Sequence, residues 1–297
     1  MSEQTVYLNG AFLPLSEARV SVLDRGFVFG DGVYEVIPVY GRAPFRLREH
    51  LARLQTSLDA IRISNPHSEE VWARLVADLA ERQPWEDQNL YLHVTRGVAK
   101  RDHAFPKGVS PTVFMMSGQL AMPRAEEIDN GVAAVSATDF RWGRCDIKST
   151  ALLGNVLLRQ IAVDAGAAET VLFRDSFLTE GAASNIFVVK DGVLLAPPKS
   201  HLILPGITYD VILELAAASG MPHKVREVSE RETLTADELW LSSSTREVLA
   251  ITTLNGQPVG NGRPGPLFRR MHALYQEVKA ACAAAGHTPH AVASGPA

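Results

Sequence analysis

Lys148 follows Ile147 in the stretch "DIKSTALLGNV", outside any charged run. Ser149 and Thr150 come next, and either can cap a helix that carries Leu152, Leu153, Val156, Leu157 and Ile161 on one apolar face. A lysine at the positive end of a helix is disfavoured as a cation, and burial acts the same way. The neutral amine that results is a nucleophile for carbonyl carbon. The competing reading is a solvated lysine at a strand end. Glu180, in "LTEGAASNIF", stands beside Gly181, Ala182 and Ala183, where backbone can pass close to a ligand. Gly206, Ile207 and Thr208 lead into a helix in "LPGITYDV", so their amides and the Thr208 hydroxyl can hold a phosphate. Four hydroxyls, Ser242 to Thr245, sit between a strand and a loop. Arg101 and His103, two positions apart in "KRDHAF", point the same way in an extended loop and can converge on a carboxylate. Each signal alone is weak, because loop glutamates and basic loops are usually solvated and clustered hydroxyls often satisfy their own backbone.

These residues need elements to hold them. "TVYLNGAFLPL" reads as a hairpin turning at Asn9-Gly10, and "VYEVIPVYGRAPFRL" as two strands about Gly41. Leu47, Leu51, Leu54, Leu58 and Ile61 share one helical face, and a second amphipathic helix covers residues 69–82. Strands follow at "NLYLHVTRG" and "TVFMMSG". The polar segment "QLAMPRAEEIDNG" predicts a linker at 121–130, between an N-terminal α/β domain (1–120) and a C-terminal domain (131–285). In the second half, "VAAVSATDFRW", "ETVLFRD", "SNIFVVKDGVLLAP" and "ELWLSSSTREVLAI" supply strands, with a primed turn at Asp191-Gly192. "GITYDVILELAAASG" and residues 266–285 supply helices, and 286–297 is expected to be a disordered tail.

The chain has 297 residues, 46% apolar and 21% charged, with a formal net charge of −4. That composition is globular, and the balance gives no electrostatic reason to expect nucleic acid or an anionic membrane as partner. The two cysteines have no metal-type spacing and fit a reducing cytoplasm. The polar N-terminus "MSEQTVYLNG" does not resemble a signal peptide, and no apolar run reaches membrane-spanning length.

In their order along nearly the whole chain, "DRGFVFGDGVYEV", "EHLARL", "VTRGVAKRDHAFP", "RCDIKS", "LTEGAASNIF", "LPGIT" and "SSST" resemble the fold-type IV pyridoxal-phosphate aminotransferases, and within them the D-amino acid aminotransferases. The resemblance implies a two-domain α+β / α/β fold, a smaller N-terminal domain and a larger C-terminal pseudo-barrel. It implies that Lys148 carries pyridoxal 5′-phosphate as a Schiff base and moves the proton between Cα and the cofactor, while Glu180 pairs with the pyridine nitrogen. Arg53, the amides of Ile207 and Thr208 and the hydroxyls of Thr208 and Ser244 would hold the phosphate, with Ser243 and Ser184 nearby, and Leu204 would pack on the ring. Tyr34, Arg101 and His103 would bind the substrate α-carboxylate, the last two reaching across from the partner of a homodimer. The implied reaction is ping-pong transfer from a D-amino acid such as D-alanine to a 2-oxo acid such as 2-oxoglutarate. Branched-chain L-amino acid aminotransferases share the lysine and glutamate but are not expected to carry the Arg-X-His pair. Aminodeoxychorismate lyase, which releases pyruvate, stays as a further reading, whereas transaminases of (R)-amines need no carboxylate site, so Arg101 and His103 argue against them. The chain departs from several D-amino acid aminotransferases in having Ala182 and Ala183 where those have serines.

Overall fold

Asn9 and Gly10 both adopt positive φ (48° and 100°) and close a hairpin between β1 (Thr5–Leu8) and β2 (Ala11–Pro14). The computed structural model describes residues 4–286. The expected tail lies outside these, apart from residue 286, which ends the last helix. After the hairpin come α1 (Arg25–Phe29), β3 (Gly32–Tyr40), β4 (Ala43–Pro44), α2 (Leu47–Ala60), α3 (Glu69–Glu81), β5 (Gln88–Thr95) and β6 (Thr112–Gln119). The strands form one antiparallel sheet in the order β2-β1-β6-β5-β3-β4. Leu90, Leu92 and Val94 alternate along β5 and meet Leu54 and Leu58 of α2 and Trp72, Val76 and Leu79 of α3. Side chains of this size contribute about 1.5–3 kcal/mol each when fully buried, so this core fixes α2 on the sheet and with it Arg53.

The second half contains α4 (Ala125–Asn130), β7 (Val132–Thr138), α5 (Leu153–Asp164), β8 (Glu169–Arg174), β9 (Phe177–Gly181), β10 (Asn185–Lys190) and β11 (Val193–Ala196). It continues with α6 (Ile207–Ala218), β12 (His223–Val225), α7 (Glu230–Leu234), β13 (Glu238–Ser243), β14 (Glu247–Leu254), β15 (Gln257–Pro258) and α8 (Pro266–Gly286). The sheet order is β12-β11-β10-β13-β14-β7-β8-β9, with β15 on β14. β9 is the last strand, yet residues 182–184 lead directly from it to interior strand β10, and the Gly181 N–H donates to the Ser184 carbonyl at 2.7 Å. A sheet connected this way must curl into a half-barrel. Ile186, Val188, Leu239, Leu241, Leu249 and Ile251 fill its inside. Phe187, Trp240 and Ala250 face out, where α6 and α8 cover them together with Tyr40 and Phe45 from the first sheet. The architecture is the mixed two-domain fold that the sequence implied, with helix α4 occupying the second half of the expected linker.

Three local expectations fail. Neither Ser149 nor Thr150 caps a helix: α5 begins at Leu153 with Leu152 as an N-cap that makes no side-chain bond. The helix dipole therefore does not act at Lys148. The apolar face assigned to α5 is largely exposed, with Leu153 at 72% and Val156 at 59%, while Leu158 and Ala162 are the positions buried. Glu180 is not in a loop but within strand β9, 4% exposed.

Candidate active site

A cavity of about 490 Å³ opens between the two sheets, and Lys148, Tyr34, Arg53, Glu180, Ser184, Leu204, Ile207, Thr208, Ser243 and Ser244 all line it. Its size is that of small-ligand sites. Lys148 is held by pairing with the start of β3: the Tyr34 N–H donates to the Lys148 carbonyl, and the Thr150 N–H to the Gly32 carbonyl, both at 3.0 Å. The Lys148 N–H donates to Ser57 Oγ of α2 at 3.2 Å. Clamped by both neighbours, the half-buried side chain places Nζ 4.0 Å from the centre of the Tyr34 ring.

At one wall, Glu180 accepts from Arg141 Nη1 at 2.5 Å, Asn185 Nδ2 at 3.1 Å and the Leu204 N–H at 3.0 Å. Burial pushes its carboxyl up to about 7, against the pull of Arg141 and the Leu204 N–H. Arg141 is itself held by Asp139 through Nε at 2.9 Å and Nη2 at 2.8 Å. Asp139 also meets Arg174 at 3.1 Å and accepts from Thr179 at 3.0 Å. A carboxylate fixed this way can offer negative charge to a protonated heterocyclic nitrogen.

At another wall, α6 starts at Ile207 with Gly206 as an N-cap that makes no side-chain bond, leaving its first amides free for an anion. A Cβ at Gly206 would collide with Asn185 Oδ1. Arg53 is 8% exposed; its Nε and Nη2 donate to Glu35 at 2.8 and 2.7 Å, and its Nη1 to the Pro205 carbonyl at 2.9 Å. Of its five N–H groups two remain for a ligand. Burial pushes Glu35 up, and Arg53 with the His50 ring outweigh it and bring the carboxyl down to about 2. His50 Nδ1 lies 2.8 Å from Glu35, and burial pushes its protonation down, so it is the neutral ring that donates to the carboxylate. The Ser242 hydroxyl is buried in this wall and has no hydrogen-bond partner among the described residues. An orphaned hydroxyl, unfilled helix amides and spare guanidinium protons fit a phosphate group.

Ser184 lines the cavity but donates its hydroxyl to the buried Glu169 at 2.8 Å, tying down the turn after Glu180. Ala182 packs its methyl with Leu158 and Leu172, and Ala183 is exposed. Arg101 and His103 do not enter the cavity of their own chain. Both are exposed and lie beside the Phe29 ring, at 5.4 and 5.3 Å from its centre. Their loop is rooted by Arg96, which donates to both oxygens of Asp31 at 2.8 and 2.9 Å. Sequence reasoning missed Glu35, His50, Asp139, Arg141 and Asn185. A charged residue inside the apolar strand "VYEVIPV" was a usable signal for Glu35.

Residues 32–254 match the family model of amino-transferase class IV. The chain is 41% identical over 271 residues to the D-alanine aminotransferase of Bacillus licheniformis, covering 91% of this chain and 95% of that protein. It is 38% identical to that of Staphylococcus aureus (strain COL), covering 92% and 97%. Among solved structures, the branched-chain amino acid aminotransferase of Escherichia coli superposes with a TM-score of 0.87 at 26% identity, covering 91% and 93%. The T.th. branched-chain amino acid aminotransferase with pyridoxamine 5′-phosphate also gives 0.87, at 25% identity, covering 94% and 95%.

Proposed function

The chain belongs to the class IV aminotransferases, and on that premise we propose that it transfers the amino group of a D-amino acid, D-alanine foremost, to a 2-oxo acid such as 2-oxoglutarate. The observation that carries this reading is the meeting of Lys148, Glu180, Arg53, Thr208 and Ser244, from five separate segments, in one cavity, joined to the 41% identity with a D-alanine aminotransferase.

Pyridoxal 5′-phosphate, when bound, supplies an aldehyde that condenses with a primary amine and a ring that delocalises the electron pair left when Cα loses its proton. Arg53, the Ile207 and Thr208 amides and the Thr208, Ser243 and Ser244 hydroxyls hold its phosphate. Ser184 braces the turn after Glu180, and Leu204 would pack on the cofactor's ring. Glu180 holds a proton at the ring nitrogen. Lys148 Nζ would be the base that takes the substrate Cα proton and the acid that gives it back. Tyr34, with Arg101 and His103 of the second copy in a homodimer, takes the substrate α-carboxylate. The chain divides into residues 1–120 and 131–285 about the 121–130 connector, and the enzyme works in the cytoplasm; among the described residues no helix is long and apolar enough to cross a membrane.

A branched-chain L-amino acid aminotransferase is the second reading, favoured by the solved structures of like fold. A spectral titration separates the two. The holoenzyme's visible absorption band is expected to disappear on adding D-alanine and to persist with L-leucine. Loss with L-leucine alone would overturn the D-specific reading.

A further inference from the structure

Three arginines line the cavity: Arg53, Arg141 and Arg159. Arg53 is ion-paired to Glu35, and Arg141 to Asp139 and Glu180. Arg159 differs. Its one hydrogen bond among the described residues runs from Nη1 to the Ala167 carbonyl at 3.5 Å, the outer limit of such a bond, and no carboxylate among them pairs with it. It is only half-buried, so its remaining N–H groups are available to a ligand. Arg246 donates to the next carbonyl, that of Ala168, at 2.8 Å. Arg246 is itself paired with Glu169 at 3.9 Å, a carboxylate that also accepts from Thr170, Ala182 and Ser184. Arg159 is thus the cavity guanidinium that has no carboxylate partner among the described residues.

Helix α5 explains the placement. Leu152, Asn155, Val156 and Arg159 form one stripe facing the cavity, at the spacing of successive helical turns. Asn155 Nδ2 pins the stripe to the Ala182 carbonyl at 2.9 Å. Leu152 lies four residues after Lys148, and Arg159 a further seven along the helix, a rise of about 10 Å. The guanidinium is thus set off from the reacting amine, with room for a substrate side chain between them.

We infer that Arg159 recognises the distal carboxylate of a five-carbon dicarboxylic substrate, 2-oxoglutarate in one half-reaction and D-glutamate in the other. The inference rests on the transaminase reading above. It makes Arg159 a specificity determinant for acidic over neutral partners.

The test compares wild type, Arg159→Gln and Arg159→Lys holoenzymes. Each is assayed with D-alanine as donor and either 2-oxoglutarate or the monocarboxylic 2-oxobutyrate as acceptor. Arg159→Gln is expected to raise the KM for 2-oxoglutarate about tenfold or more relative to that for 2-oxobutyrate, with Arg159→Lys recovering part of the difference. Glutarate, an unreactive five-carbon dicarboxylate, should lose affinity in parallel when its binding is followed by calorimetry. Equal changes for both acceptors, or unaltered glutarate binding, would overturn the inference. A wild-type enzyme inert towards D-alanine with both acceptors would overturn the transaminase reading, and glutarate binding would still decide the role of Arg159.

Discussion

Arg141 Nη1 lies 2.5 Å from Glu180 Oε1, and both side chains are closed off from solvent, at 4% and 6% exposure. Asp139 grips the same guanidinium from the other side. One arginine therefore serves two buried carboxylates, and its position decides where the Glu180 charge sits. Lacking the arginine, Glu180 would carry its burial penalty with only Asn185 and the Leu204 N–H against it.

Replacing Arg141 with Met should destabilise the apoprotein by about 3–5 kcal/mol, the usual cost of leaving one partner of a buried pair alone. Urea unfolding measures it. The same variant should push the Glu180 carboxyl further up, moving the pH dependence of the holoenzyme's visible band towards alkali. A stable variant with an unmoved band would mean that Arg141 is a bystander.

Glu180 and Glu35 predict opposite pH slopes for the apoprotein. Glu180 is raised from 4.5 to about 7. The folded state therefore holds its proton more tightly, and stability falls as pH rises from about 4.5 to about 7, by about 3 kcal/mol for this group. Glu35 is lowered from 4.5 to about 2. Its contribution is complete above about 4.5 and is lost as pH drops towards about 2. Thermal unfolding across this range should show Glu180→Gln removing the upper slope and leaving the lower one. A Glu180→Gln curve that runs parallel to wild type between pH 5 and 7 would refute the raised Glu180.

The elements were legible where periodicity was strong. Leu51, Leu54 and Leu58 recur at helical spacing and are buried as that spacing requires. The Asn9-Gly10 and Asp191-Gly192 turns follow from residues that tolerate positive φ. Leu153, Leu157 and Ile161 also recur at helical spacing, yet they stay exposed, because periodicity reports an apolar face without saying what covers it. The cavity was legible through the ordered motifs, since Tyr34, Arg53, Lys148, Glu180, Thr208 and Ser244 all line it. The groups behind them were not. Glu35 reaches Arg53 from a different element, 18 positions away, and Arg141 reaches Glu180 across 39. No local pattern encodes a pairing that exists only once α2 has packed on the first sheet or the half-barrel has curled.

Gly206→Ala should damage the site with little effect on the fold. Its new methyl would strike Asn185 Oδ1, and Asn185 Nδ2 holds both Glu180 Oε2 at 3.1 Å and the Leu204 carbonyl at 3.0 Å. A clash of this kind costs about 1–3 kcal/mol. Cofactor affinity should therefore drop by about tenfold or more, read by fluorescence titration with pyridoxal 5′-phosphate, while far-ultraviolet circular dichroism stays unchanged. Undiminished affinity would show that the α6 entrance is looser than its packing indicates.

Arg101 and His103 give the sharpest test of the dimer. Both stand outside the cavity of their own chain, beside Phe29, on a loop rooted through Arg96 and Asp31. If the loop completes the site of a second copy, two crippled chains can repair each other. Lys148→Ala alone should show no turnover and no visible band, and Arg101→Ala alone should raise the KM for D-alanine. In a hybrid, the chain that keeps Lys148 receives an intact Arg101 from its partner. Equal co-expression should then place one good site in each hybrid dimer, restoring about a quarter of wild-type turnover at low substrate under random pairing. The Lys148→Ala chain contributes no active amine of its own, so any recovered low-KM activity must come from a site built by both chains. A mixture that merely averages its two parents would show that Arg101 does not complete the site of a second copy.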